Sequence, residues 1–349
     1  MHGHFRPLVG SPGTAGSVTA VIVVRNQAQD LRQSLASLVA QDLAPGEFEI
    51  LVVDGQSTDG TVQVAQGMAQ QTLQPVIRVL ENPKHTLAAG WNIAIREAQG
   101  EFIVRIEAHT AVARDFLSAN LALHAARDAA CTGGPWETRG EGFWGQIIAA
   151  VLSSRFGVGS GFRTRPDYEG YADTVPCGMY RRSAMIEAGL LDETLARNQD
   201  IHLHRRMREL GHRFFISPRV RSVYRCRSSL AKMVAQSYGN GYWHGADIRA
   251  MSARHAAPAC AVLLGALCVI LGMAGVKAAW IVLGAAFLLH LGLGAAASAT
   301  AKLERWSQRL LMPFVCLASH ISYGLGTIVG IVRLGGRNVV RRLRAGVHT

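Results

Sequence analysis

Three acidic positions in this chain stand where an acid can do chemistry. Phe48 to Thr61 reads FEILVVDGQSTDGT, an apolar run that stops at Asp54 and enters a Gly/Ser/Thr/Asp turn. Open α/β sheets bind ligands at the carboxyl ends of their strands, so Asp54 is placed for a ligand rather than for the fold. Glu107 closes the run GEFIVRIE, with His109 two residues on. In extended chain, residues i and i+2 point the same way, so this carboxylate and imidazole can share one ion. The donor set suits Mn²⁺ or Mg²⁺ held partly by substrate phosphates, and the imidazole favours manganese. The plainer alternative is an exposed strand-end acid beside a polar loop histidine. Asp200, in ARNQDIHLHRRMREL, reads as a helix N-cap, with Asn198 competing for that place, or as a general base aimed into a cleft.

The elements that must position these residues follow from periodicity. Residues 19–24 (TAVIVV) form a continuous β-branched run, as in a strand buried on both faces, and Leu31, Leu35, Leu38 and Val39 then recur at helical spacing. The alternation repeats: strand 48–53, helix 58–70, strand 76–80, helix 86–98, strand 102–106. It predicts an α/β fold with a mostly parallel sheet, right-handed crossovers and helices on both faces. Gly90 and Gly100 are expected at helix entry and exit. Beyond His109 we expect helix over 111–130, a Gly-, Arg- and aromatic-rich stretch over 131–175, helices over 180–188 and 200–210, a strand over 213–225 and an amphipathic helix over 229–250.

The remainder is built for a membrane. The chain has 349 residues and a formal net charge of +12, and 49% of its residues are hydrophobic. Two uncharged apolar runs, about 257–275 and 278–300, are each near the roughly 20 residues needed to cross a bilayer. A third, 310–332, carries Pro313, Ser319, His320, Ser322 and Tyr323. Two spans leave the Arg-rich end inside, whereas three put it outside against the positive-inside rule. The expected organisation is a flexible tail at 1–17, a catalytic domain at 18–250, membrane helices within 256–333 and a basic tail at 334–349. The tail carries no signal-peptide run, so the first 255 residues are expected in the cytoplasm, with the helices in the cell's inner membrane. Basic charge beside such spans points to anionic lipid and phosphorylated substrates rather than nucleic acid. The six cysteines show no CxxC pairing and read as reduced, apolar residues.

The ordered blocks VIVVRN, VVDGQSTDGT, NPKHTLAAGWNIAI, GEFIVRIEAHT and CGMYRRSAMIEAGLLDETLARNQDIHL resemble the family 2 glycosyltransferases of the GT-A fold, over residues 18–245. The likeness is greatest to the bacterial exopolysaccharide glucosyltransferases of the succinoglycan type. It implies that Val24, Arg25 and Asn26 line the nucleotide base and that Asp54 bonds the uracil or ribose. Asn92 or Arg96 would face the donor sugar or pyrophosphate. Glu107 and His109 would hold a Mn²⁺ or Mg²⁺ ion against the donor, and Asp200 would act as catalytic base. Trp136, in GGPWE, reads as a stacking surface for an acceptor sugar or as ordinary core or lipid-interface packing, and Gln199 is expected on the acceptor side. The chain departs from the family at Gly55, Glu107, Ile201 and His202, where acids or Asp are usual. Near Gln236 it lacks the Arg-Trp pair of processive synthases, which implies addition of a single sugar. The implied reaction is inverting transfer of a hexose, such as glucose, from a UDP-sugar to a lipid-linked saccharide in exopolysaccharide or cell-envelope synthesis. The alternatives are a glycolipid or polyprenyl-phosphate sugar synthase, and a non-catalytic membrane scaffold keeping the fold.

Overall fold

A computed structural model describes residues 17–44, 46–157, 165–195, 197–246, 251 and 253–335. The N-terminal tail before Ser17, residues 158–164 of the Gly-, Arg- and aromatic-rich stretch, residues 247–250 of the expected amphipathic helix, and the basic tail from 336 onward lie outside the described residues. The chain divides into two compact units, Met1–Glu137 with Pro166–Tyr224, and Thr138–Arg165 with Arg225–Thr349. Residues 138–157 and 225–246 therefore pack with the C-terminal helices.

In the first unit the alternation resolves into β1 (Val18–Val24), α1 (Ala28–Val39), β2 (Phe48–Asp54), α2 (Thr61–Gln71), β3 (Val76–Glu81), α3 (Leu87–Glu97) and β4 (Phe102–Glu107). Every residue of β1 and β2 is buried, as their β-branched runs require. After β4 come β5 (Thr110–Val112), α4 (Phe116–Ala126), β6 (Cys131–Gly133) and β7 (Trp136–Arg139), and the second unit's α5 (Gly142–Ser153) follows. The first unit resumes with β8 (Gly170–Tyr171), β9 (Met179–Arg181), α6 (Arg182–Glu187), α7 (Gln199–Glu209), β10 (Phe214–Ile216) and β11 (Ser222–Arg225).

Eight of these strands form one sheet in the order β3-β2-β1-β4-β9-β6-β10-β8. Its β3-β2-β1-β4 half is parallel, while β9 runs antiparallel to both β4 and β6. Strand order reverses between β1 and β4, the kind of crevice where open α/β sheets bind ligands. Register puts Val24 beside Asp54, Asp54 beside Glu81, and Val23 beside Glu107, so the acids at the ends of β2 and β4 share one level. Gly90 lies inside α3, not at its entry, because a Cβ there would come within 2.5 Å of Val23 Cγ1. The helix sits that close to β1 only because the position has no side chain. Three further expectations change: residues 111–130 hold β5 and α4, Tyr180 lies on β9 with helix α6 only after it, and 213–225 holds two strands, β10 and β11, that join different sheets. These strands are three or four residues long, and their pairing is distant in sequence.

The second unit comprises α5, α8 (Leu230–Gly245), α9 (Ala253–Met273), α10 (Lys277–Ala299) and α11 (Trp306–Gly330), which ends in a π turn over Ile331–Gly335. Three helices are long and apolar enough to cross a membrane, and of their most apolar windows 6%, 11% and 50% is buried for α9, α10 and α11 respectively. The third is thus the core of its unit: Ile147, Ile148 and Val151 of α5 and Met233 of α8 cluster with its Met312, Val315 and Cys316. Farther along, α8 and α11 meet backbone to backbone. A Cβ at Gly241 would lie 2.0 Å from the Tyr323 carbonyl oxygen, and one at Gly326 would lie 2.1 Å from that of Tyr238. All six cysteines are free.

Candidate active site

Two loops at the end of the parallel strands are laced together. Asp54, 4% exposed, accepts the Ser57 N–H at 2.9 Å and the Ser57 hydroxyl at 2.6 Å. Ser57 Oγ in turn accepts the Asn26 N–H at 2.8 Å, and Asn26 Oδ1 accepts the Thr58 N–H at 2.8 Å. Asn26 adopts a left-handed conformation, φ 53°, which asparagine tolerates better than most residues. The Arg25 stem covers Gly55, where an added Cβ would sit 3.3 Å from Arg25 Cβ. Val24, Arg25, Asn26 and Asp54 therefore form one ledge.

Asn92 has different business. Its Nδ2 donates to the Leu191 carbonyl and to Glu193 Oε1, each at 2.9 Å, and its Oδ1 accepts the Leu191 N–H at 2.9 Å. Lys84 grips the same segment through Glu193 at 2.7 Å. Facing the donor would require Asn92 to give up one of these bonds, which instead anchor the stretch leading to Asp200. Arg96 sits in the last turn of α3, and its carbonyl accepts from Arg182, whose own N–H bonds the carbonyl of Glu101 just ahead of β4. That places the Arg96 backbone near the entry end of β4, while its side-chain charge acts on Glu193.

The third group gathers around β4. Glu107 Oε2 accepts His109 Nε2 at 2.9 Å, and His109 Nδ1 is buried without a partner. Burial alone would raise the Glu107 pKa, but the His109 bond and the Arg105 charge outweigh it and hold the carboxyl below its ordinary range. Asp200 is the second residue of α7, and the N-cap position is held by Asn198 without a side-chain cap bond, so Asp200 is not the cap. Asp200 Oδ2 lies 3.7 Å from Arg105 Nη1, and Oδ1 accepts the Ile201 N–H at 2.9 Å. Burial opposes its ionisation, yet Arg105, His204 and the Ile201 N–H together hold its pKa below the ordinary aspartate value. One turn on, His204 meets the Tyr180 hydroxyl at 2.7 Å and the Thr174 hydroxyl at 2.8 Å, and burial pushes its pKa down to about 4.

An aromatic step stands beside this pair. Trp136 stacks on Tyr224 with centroids 4.8 Å apart, and His109 meets Tyr224 edge-on at 5.0 Å. The Trp136 indole N–H donates to Cys177 Sγ at 3.3 Å. Gln199, 5% exposed, opens α7 immediately before Asp200. Arg105, Tyr180, His204 and Tyr224 are parts of the site that motif reading missed. A signal for Arg105 was present, since a charge two residues before Glu107 on an apolar strand must share its face.

Residues 19–189 match the family described as glycosyl transferase family 2. The chain carries a family 2 glycosyltransferase domain. This transferase is 27% identical to the succinoglycan biosynthesis protein ExoA of Rhizobium meliloti over 65% of its own length and 69% of the relative's. It is 26% identical to a Methanococcus voltae diacetamido-dideoxy-glucuronosyltransferase over 66% of its length and 74% of the relative's, and that enzyme's name gives its acceptor as a dolichyl N-acetylglucosaminyl phosphate. Among solved structures, the mannosyltransferase PcManGT of Pyrobaculum calidifontis, in complex with GDP-Man and Mn²⁺, is similar at a TM-score of 0.61 and 19% identity. That likeness covers 91% of this transferase and 90% of the mannosyltransferase, and it shows the GT-A fold.

The donor atoms of the transferase fit a divalent ion in one manner only. Among the described residues no three His, Cys, Asp or Glu side chains gather as a metal cage. Glu107 and His109 offer a carboxylate and an imidazole with an unpartnered ring nitrogen. Such a pair suits an ion whose remaining ligands come from substrate phosphates and water.

Proposed function

We propose that this transferase moves a hexose, with glucose as the first candidate, from a UDP-sugar to a lipid-linked saccharide, inverting the anomeric centre, in exopolysaccharide or cell-envelope synthesis. The observation that carries the reading is Asp200, a carboxylate kept ionised beside Arg105 and set apart in sequence from the acids at the strand ends. Asp54 and the 24–26 ledge hold the nucleotide. Glu107 and His109 would hold Mn²⁺ or Mg²⁺ with the donor's diphosphate, and the bound ion neutralises charge that builds on the leaving phosphate. Asp200 accepts the proton of the attacking acceptor hydroxyl. A single base on the far side of the sugar implies in-line attack, hence inversion. Trp136 and Gln199 lie on the acceptor side of this scheme.

The apolar helices support an acceptor that is itself in the membrane, as does the dolichyl-linked acceptor in the name of the Methanococcus voltae relative. Membrane lipid is then a partner as well as a support, and the catalytic unit works at the cytoplasmic face of the inner membrane. Membranes carrying wild type or Asp200→Asn, given a panel of UDP-, GDP- and dTDP-sugars with and without Mn²⁺ or Mg²⁺, test the reading. We expect metal-dependent nucleotide release and transfer, reduced by at least about a hundredfold in the variant while nucleotide binding persists. Transfer to polyprenyl phosphate or diacylglycerol, and none to a lipid-linked saccharide, would replace the acceptor. Full activity in Asp200→Asn would remove the base.

A further inference from the structure

Arg105 is a charge in a strand that is otherwise apolar up to Glu107. Its side chain is only 11% exposed, its guanidinium lies over the Trp91 ring at 4.9 Å, and its Nη1 approaches Asp200 Oδ2 at 3.7 Å. Glu107 follows two residues on, on the same face of β4. Both carboxylates feel the Arg105 charge, and each feels the other. Asp200, Glu107 and the His109 imidazole are the side-chain types of a three-ligand divalent site, and with Arg105 in place they do not gather into one among the described residues. A base captured by the ion could not take a proton from an acceptor.

We propose that Arg105 is a positioning residue that keeps Asp200 out of the metal's coordination sphere, reserving the ion for Glu107 and His109 and leaving Asp200 free for the acceptor. The inference rests on the reading of Asp200 as base. A fixed guanidinium does this in two ways. It holds Asp200 Oδ2 within 3.7 Å, and its charge repels a divalent cation approaching that carboxylate.

Mn²⁺ binding to the full-length chain in detergent, without nucleotide, followed by electron paramagnetic resonance or calorimetry, separates this role from ordinary support. Arg105→Gln should bind Mn²⁺ on the order of tenfold more tightly, because Asp200 joins the ion. It should also transfer sugar on the order of a hundredfold more slowly with the donor KM little changed. Arg105→Lys should return both properties toward wild type, and Asp200→Asn added to Arg105→Gln should abolish the gain in Mn²⁺ affinity. Unchanged or weaker Mn²⁺ binding in Arg105→Gln overturns the proposal whatever happens to transfer. A separate arm avoids Arg105 variants altogether: Asp200→Asn alone should leave Mn²⁺ affinity within about twofold of wild type, and a larger loss would show that Asp200 is already a ligand. Intact transfer in Asp200→Asn would defeat the base reading instead, and the affinity comparison distinguishes that failure from this one.

Discussion

Asp54 and Asp200 are the same side chain in two different occupations. Both Asp54 oxygens accept from Ser57, so its carboxylate shapes the loop that follows β2. Asp200 holds a single N–H and faces a cation, which leaves room for a proton. His204 adds a pH dependence of stability whose sign is fixed. Its pKa falls from 6.5 to about 4 on folding, so between those values the unfolded chain binds a proton that the folded chain refuses. Stability should therefore fall as pH drops from 6.5 toward 4, and thermal unfolding of His204→Gln should show a shallower slope over that window. At this scale the strand-end and helix-start acids were legible because chemistry advertises itself by residue type. His204 and Tyr180 were not, because a histidine on an amphipathic helix and a tyrosine in MYRRSAMIEAG look like surface and helix until β9 pairs with β4.

At the level of elements, the βα repeat could be read because each of its strands is six or seven residues long and alternates with a helix, although β1 also pairs with the distant β4. The strands of 131–139, 170–181 and 214–225 are only two to four residues long and find partners far away, so local pattern carries little of them. Gly90 was seen but given the wrong reason. Gly90→Ala should cost about 1–3 kcal/mol in chemical unfolding, since its Cβ meets Val23 at 2.5 Å and β1 cannot yield. Asn92 likewise acts between elements. Removing its three bonds to 191–193 frees the approach to α7, so Asn92→Ala should lower kcat by about tenfold while nucleotide affinity, measured by calorimetry, stays within about twofold. A loss of nucleotide affinity that matched the loss of kcat would return Asn92 to the donor.

For the whole molecule, the softness of the third apolar run was the puzzle of the sequence, and three of its polar residues turn out to be spoken for, while the Tyr323 hydroxyl is buried without a hydrogen-bond partner. Ser319 meets Ser237 at 3.0 Å, Ser322 donates to the Val234 carbonyl at 2.7 Å, and His320 meets His290 at 3.0 Å. Hydropathy reads a helix against lipid, and α11 is read by other helices first. Gly326→Leu should force α8 and α11 apart, because its Cβ already lies 2.1 Å from the Tyr238 carbonyl oxygen. We expect a lower melting temperature in detergent and, with it, a loss of membrane-associated transfer.

The same seam sets a timetable for biosynthesis. The ribosome makes α8 before α9 and α10, and the glycines that close upon it arrive only with α11. Until Gly330 is made, α8 has a bare face whose intended neighbour is main chain, and no soluble helix supplies that shape. A chain ended before α9 would retain every strand-end acid and the whole family-defining stretch, yet leave α8 and α5 without the helix that completes their core. Helix α11, made after α9 and α10, is thus a folding requirement for α8, and shortening the chain to obtain a soluble enzyme removes it.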